Sequence, residues 1–155
     1  MRRPVEKWVR WGWLFPATYG VHIVEEWRGG EGFPAWFSRV MGARLTAEQF
    51  LALNAYALAG MTLGVVLTLL FRQMRWLLVG FGAAVLINGL AHIGASALTR
   101  SYSPGVVSGA LLWLPLGAWM LAAGRKDLSR RDFSVGVVVG IAMHVVVTML
   151  AYFGS

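Results

Sequence analysis

The chain has 155 residues, of which 57% are hydrophobic and only 14% charged, with a mean hydropathy of +0.61. Soluble domains carry about a quarter charged residues, so this is the composition of an integral membrane protein, and the length suits a single transmembrane domain over residues 1–155. There is no cysteine, which excludes disulfides, thiolate ligands and cysteine nucleophiles; the net charge of +7 sits at the ends of apolar runs, a pattern that orients a chain in a bilayer rather than one that binds nucleic acid.

Arg2, Arg3, Lys7 and Arg10 lead into the first apolar run, over about residues 8–28. A signal peptide is rejected there: tryptophans interrupt the run, it ends in Glu25-Glu26-Trp27-Arg28, and no small-residue cleavage site follows. The run is predicted as a first spanning helix, bent at Pro16. His22, Glu25 and Glu26 fall on it at i, i+3 and i+4, on one face. Gly29 to Leu45, with Phe33, Pro34, Trp36 and Phe37, reads as a connection holding a short amphipathic helix, about 33–42, along the interface.

Thr46-Ala-Glu-Gln49 is a capping box that opens a second span, about 47–71, which carries Asn54. In the third span, about 74–98, Gly80, Ala84, Asn88, His92 and Ser96 recur at four-residue steps. Such a stripe of small and polar residues faces neighbouring helices rather than lipid. Ser103-Pro104 offers an N-cap and a first-position proline for the fourth span, about 104–123. The fifth, about 132–154, can start at Ser129 or Asp132 and repeats the stripe as Gly136, Gly140, His144 and Thr148. The predicted fold is an all-α polytopic membrane bundle, with five transmembrane helices and one interfacial helix.

Basic residues set the orientation. With the N-terminus cytoplasmic, that side holds Arg2, Arg3, Lys7, Arg10, Arg72, Arg75, Arg125, Lys126, Arg130 and Arg131, against Arg28, Arg39, Arg44 and Arg100 opposite. The expectation is a multi-pass protein of the inner (plasma) membrane with its C-terminus outside. Trp8, Trp11, Trp76 and Trp119 then line the inner interface, and Trp27 and Trp36 the outer one.

All three histidines and the adjacent glutamates therefore lie in spans, where ionisable side chains are costly and tend to mark a site. At 1.5 Å per residue, His22 and His92 lie about 9 Å below the outer surface, Asn54 about 10 Å and His144 about 12 Å. Four helices thus bring polar groups to one layer. Imidazole and carboxylate are ligands for zinc, iron and manganese, and a catalytic zinc typically takes three protein ligands and leaves a position open. His22, His92 and His144 can supply nitrogens, with Glu25 or Glu26 as a further ligand or as general base, and Asn88 and Asn54 orienting a ligand or a substrate. The function expected is a metal-dependent, hydrolase-like membrane enzyme acting on a lipid or lipid-like substrate. The alternatives are a haem or electron-transfer protein using His92 and His144, an ion, proton or metal transporter, and a structural subunit whose polar groups only join helices.

His22-Ile-Val-Glu25-Glu26, Asn88-Gly-Leu-Ala-His92 and Tyr102-Ser-Pro104-Gly105, in that order, resemble the HXXEE-motif family of small bacterial membrane proteins. That family is marked by H-x-x-E-E, another histidine and Y-x-P-G, and the resemblance implies no assigned activity. It puts His22, Glu25, Glu26, His92, Tyr102, Pro104 and Gly105 at motif positions, with His144 outside them. Tyr102 to Gly105 is expected to turn sharply into the fourth helix and to lay the Tyr102 hydroxyl at the mouth of the site.

Overall fold

A computed structural model describes residues 6–153 of the chain; Arg2, Arg3 and residue 154 lie outside the described residues. In lipid every backbone polar group has to be satisfied within the segment, and the described residues form helices alone. Helix α1 (Lys7–Arg10) passes through a 3-10 turn (Trp11–Trp13) into α2 (Leu14–Arg28). Pro16 has no N–H to give the Gly12 carbonyl, and the tight turn falls just before it. There follow α3 (Phe33–Met41), α4 (Ala47–Leu70) and, after a 3-10 turn (Arg72–Met74), α5 (Trp76–Thr99). The short α6 (Val106–Ser108) widens into a π-helical turn (Gly109–Trp113), which runs on as α7 (Leu114–Asp127), and α8 (Arg130–Phe153) completes the chain.

Four helical segments are long and apolar enough to cross a membrane: Ala47–Leu70, Arg72–Thr99, Val106–Asp127 and Arg130–Phe153. The protein is therefore an all-α bundle of polytopic membrane type. The Thr46–Gln49 capping box forms in full: Gln49 N–H donates to the Thr46 hydroxyl, and Thr46 N–H to the Gln49 side chain. Ser129 accepts from the Asp132 N–H and so starts α8. The fourth span departs from its expected start. Its helix begins at Val106, not at Pro104, and the Ser103 hydroxyl is turned to His92 instead of to the helix backbone.

Helix α5 is central, flanked closely by α8 and α7. Glycines permit the approach. A Cβ added to Gly80 would lie 3.2 Å from the Gly136 carbonyl and 3.7 Å from the Gly140 nitrogen. Helix α4 packs loosely against α2, α5 and α8 alike, which leaves a cleft along its inner side. Phe15, Leu78 and Met120 fill the core beneath the polar layer. Above that layer α3 buries Trp36 and Phe37 against Leu45, Phe50 and Ala151, so the short helix forms a roof. At the other end Glu6 pairs with Arg75, Trp8 Nε1 donates to Asp127 Oδ2 at 3.1 Å, and Trp11 meets Trp119 edge to face.

Candidate metal centre

His22 and Glu26 are one helical turn apart on α2, and His92 reaches them from α5. All three are buried, with exposures of 1%, 5% and 5%. Glu26 Oε1 lies 3.6 Å from His22 Nε2 and 3.4 Å from His92 Nε2. The ligand atoms of the three residues lie within 4.8 Å of one another.

The opposite nitrogen of each ring is already engaged. His22 Nδ1 is hydrogen-bonded to the Ser108 hydroxyl at 2.7 Å and His92 Nδ1 to the Ser103 hydroxyl at 3.0 Å. Ser108 Oγ also lies 3.4 Å from the Gly105 carbonyl, to which it can donate while accepting from His22 Nδ1–H. In that tautomer the Nε2 lone pair is free. His22 Nε2 is buried and has no hydrogen-bond partner, and an orphaned buried acceptor is costly. A metal fits this donor set. Zinc bonds of about 2.0–2.1 Å in tetrahedral geometry place ligand atoms about 3.3 Å apart, close to both Glu26 separations.

The Tyr102–Gly105 segment covers the cluster. Pro104 is fully buried, and Gly105 stands at φ +98°, a conformation that favours glycine. A Cβ there would lie 2.8 Å from Cε1 of both His22 and His92 and 3.1 Å from Glu26 Cγ. The fourth residue of Y-x-P-G is thus a glycine for two reasons, its backbone angle and the imidazoles beneath it.

Glu25 turns away from the cluster. It accepts from the Tyr102 hydroxyl at 2.7 Å and from the N–H groups of Val107 at 2.9 Å and Ser108 at 2.6 Å. A carboxylate at those first-turn amides, where the helix dipole is positive, does from a neighbouring helix what Ser103 was expected to do as N-cap. Burial, and then the bond to Glu25, push the Tyr102 phenol up to about 12, so it remains a donor throughout the physiological range.

The Gly109–Trp113 turn completes the wall. Leu114 N–H bonds to the Gly109 carbonyl, an i−5 step, directly before Pro115, which has no N–H to offer Leu111. Residues five apart are about 140° apart on an α-helix but stack on one side of a π-turn. Ser108 and Trp113 therefore both reach His22; the indole stacks on the imidazole with ring centres 3.7 Å apart.

The remaining expected residues lie nearby with other partners. His144, on α8, borders the same cavity as His22 and Glu26 but is not among the three convergent ligands. Asn54 accepts from the Tyr19 hydroxyl at 2.7 Å. Asn88 borders that cavity too, and its Oδ1 is buried with no hydrogen-bond partner. Ser103, expected as a helix cap, is instead a partner of His92, and Ser108 and Trp113 join the site with no expected role. Ser103 sits inside the Y-x-P-G motif, a signal that could have found it; Ser108 and Trp113 have none, because their alignment depends on the π-turn.

Residues 13–120 match the model of a family described as a protein of unknown function with HXXEE motif. No curated protein and no solved structure matches the chain.

Proposed function

This chain belongs to the HXXEE family, and we propose that it is a metal-dependent membrane enzyme in which His22, His92 and Glu26 hold one divalent ion. The observation that carries this reading is the convergence of both Nε2 atoms on one carboxylate while both Nδ1 atoms are taken up by serine hydroxyls. Such outer partners fix ring orientation and raise ligand basicity. Zinc suits the set best, with iron and manganese as alternatives.

The reaction class is hydrolysis of a lipid or lipid-like substrate: water adds across an ester or amide, releasing an acid and an alcohol or amine. The bound ion supplies Lewis acidity towards a carbonyl or a water. The chain's own groups do the rest. Glu26 and the imidazoles place the ion, and His144 borders the cavity where it can take or give a proton. Glu25 and Tyr102 hold the Pro104–Gly105 segment closed over the ligands, which keeps bulk water from that side. Their role in this reading is positional.

In the membrane, the continuous helical stretch from residue 7 to 28 serves as a fifth span, with α3 lying along the outer interface. The excess of basic residues on one side supports an N-terminus in the cytoplasm and, with it, a metal site in the outer half of the bilayer.

Elemental analysis of the purified protein tests the reading directly. Near-stoichiometric metal is expected in the wild type, and its loss in His92→Ala. Wild-type protein purified without chelators that carries no metal and takes up none on addition would remove the proposal. Ser108→Ala provides a finer test, because it deletes the Nδ1 partner of His22 and no metal ligand. Metal affinity is expected to fall about 10–100-fold, measured by competition with a chromophoric chelator.

A further inference from the structure

Beside the metal cluster a second cavity of about 330 Å³ runs between α4 and α8, within the 300–1,000 Å³ or so common for ligand sites. It shares Tyr19, Asn88, Trp113, His144 and Val147 with the cavity that His22 and Glu26 border, so the two adjoin. Its walls are otherwise almost wholly apolar, with Met61, Val85 and Met143 among them. At its rim Tyr56 is 79% exposed and Val146 lies open on the outside of the bundle. Both rim residues belong to helices long and apolar enough to cross the membrane.

A void that opens sideways into hydrocarbon has one kind of neighbour to fill it, an acyl chain. Two polar groups mark the end next to the metal cluster. Asn88 Oδ1 and Trp113 Nε1 are both buried and both lack a hydrogen-bond partner, one an acceptor and the other a donor. A plain ester carbonyl accepts only, and would satisfy the indole but not Asn88. An amide or a hydroxyl at the head of the chain offers both functions.

We infer that this cleft binds a single acyl chain of a membrane lipid, entering sideways between α4 and α8, and that Asn88 and Trp113 receive an amide or hydroxyl at its head. The inference rests on the enzyme reading above for what happens to the lipid, but not for whether the lipid binds. It narrows the substrate class to chains whose polar linkage both donates and accepts, and it puts that linkage beside the metal ligands.

Gly60 provides the test. It lines the cleft, and a Cβ added there meets nothing within 4 Å. Gly60→Phe therefore starts its side chain in open space at the cleft and is expected to narrow it, and replacing a helical glycine favours the helix. The probe is an N-acyl ethanolamine with a diazirine at mid-chain, added to full-length protein in phosphatidylcholine vesicles. On irradiation, label is expected at Met61 and Met143. In Gly60→Phe it should fall about ten-fold at both, the effect of ~1.4 kcal/mol of lost binding, while label at the exposed Leu63 of α4 stays the same. Asn88→Leu should lower labelling by the amide probe to the level given by a methyl ester of the same acid. Equal labelling of the cleft methionines in wild type and Gly60→Phe would overturn the inference, and a cleft that does not distinguish amide from ester would overturn its account of the head group. Metal content separates the two readings: metal present with indifferent labelling sinks the cleft alone, and plugged labelling without metal sinks the metal site alone.

Discussion

Glu26→Gln is expected to abolish metal retention, lowering affinity by more than the ~100-fold that loss of an outer-shell partner can cause. The substitution is nearly isosteric, so packing around the 5% exposed side chain is kept and only charge and one ligand oxygen are lost. Its effect on stability should depend on metal. Without an ion, the carboxylate is a buried charge whose ion-pair neighbours among the described residues are two imidazoles; burying a charge is costly, and the neutral amide avoids that cost while the imidazoles can shed any proton they held. With an ion at about 100 times its dissociation constant, the wild type gains roughly 2.7 kcal/mol that the variant cannot. Thermal unfolding should therefore separate the two proteins in added zinc and bring them together in chelator. A variant less stable than wild type under both conditions, with metal uptake intact, would mean that Glu26 merely joins α2 to α5.

Gly105→Ala carries the second large effect. A non-glycine residue at φ +98° costs about 1–3 kcal/mol in backbone strain alone. The added methyl would also sit 2.8 Å from both imidazoles, and those rings have little freedom to retreat: His22 is stacked on Trp113, and both rings are tied to serines. Loss of metal together with a Tm several degrees lower is the expected result, measured on purified protein with zinc and with chelator. The strain persists in chelator, which distinguishes this variant from Glu26→Gln. The same substitution at Gly42, also at positive φ but with nothing within 4 Å of its Cβ, should cost the backbone term and leave metal binding unchanged.

The all-α bundle could be read from the sequence because apolar runs of membrane-spanning length admit few structures in lipid. The stripes of α5 and α8 declared their contact through glycine spacing, and the Thr46–Gln49 box declared a helix start that forms in full. Within the site, the i, i+4 step from His22 to Glu26 is plain from spacing alone. What sequence could not divide was the acidic pair. Glu25 and Glu26 differ by about 100° around α2, and which of them meets the histidines depends on where the amides of Val107 and Ser108 arrive. Nor could it separate Ser103 as a helix cap from Ser103 as a histidine partner. Both are local chemistry a serine performs, and the choice is made by the distance of α5 from the turn. The cleft beside α4 left no trace at all, since an absence of packing has no residue pattern of its own.

The wide turn at Gly109–Trp113 amounts to one residue more than an α-helix would need there. A single-codon deletion inside it, at Ala110 for instance, would leave hydropathy, span length and every named motif residue in place. Closed up as an ordinary α-helix, the shortened segment would put Ser108 and Trp113 four residues apart, about 40° around the axis, so the hydroxyl and the indole would still lie on the side of His22. A further residue inserted there, by contrast, would put the two six apart, about 240° around an α-helix, so relatives that keep the histidines would be expected to lose one residue between Gly105 and Pro115 more readily than to gain one.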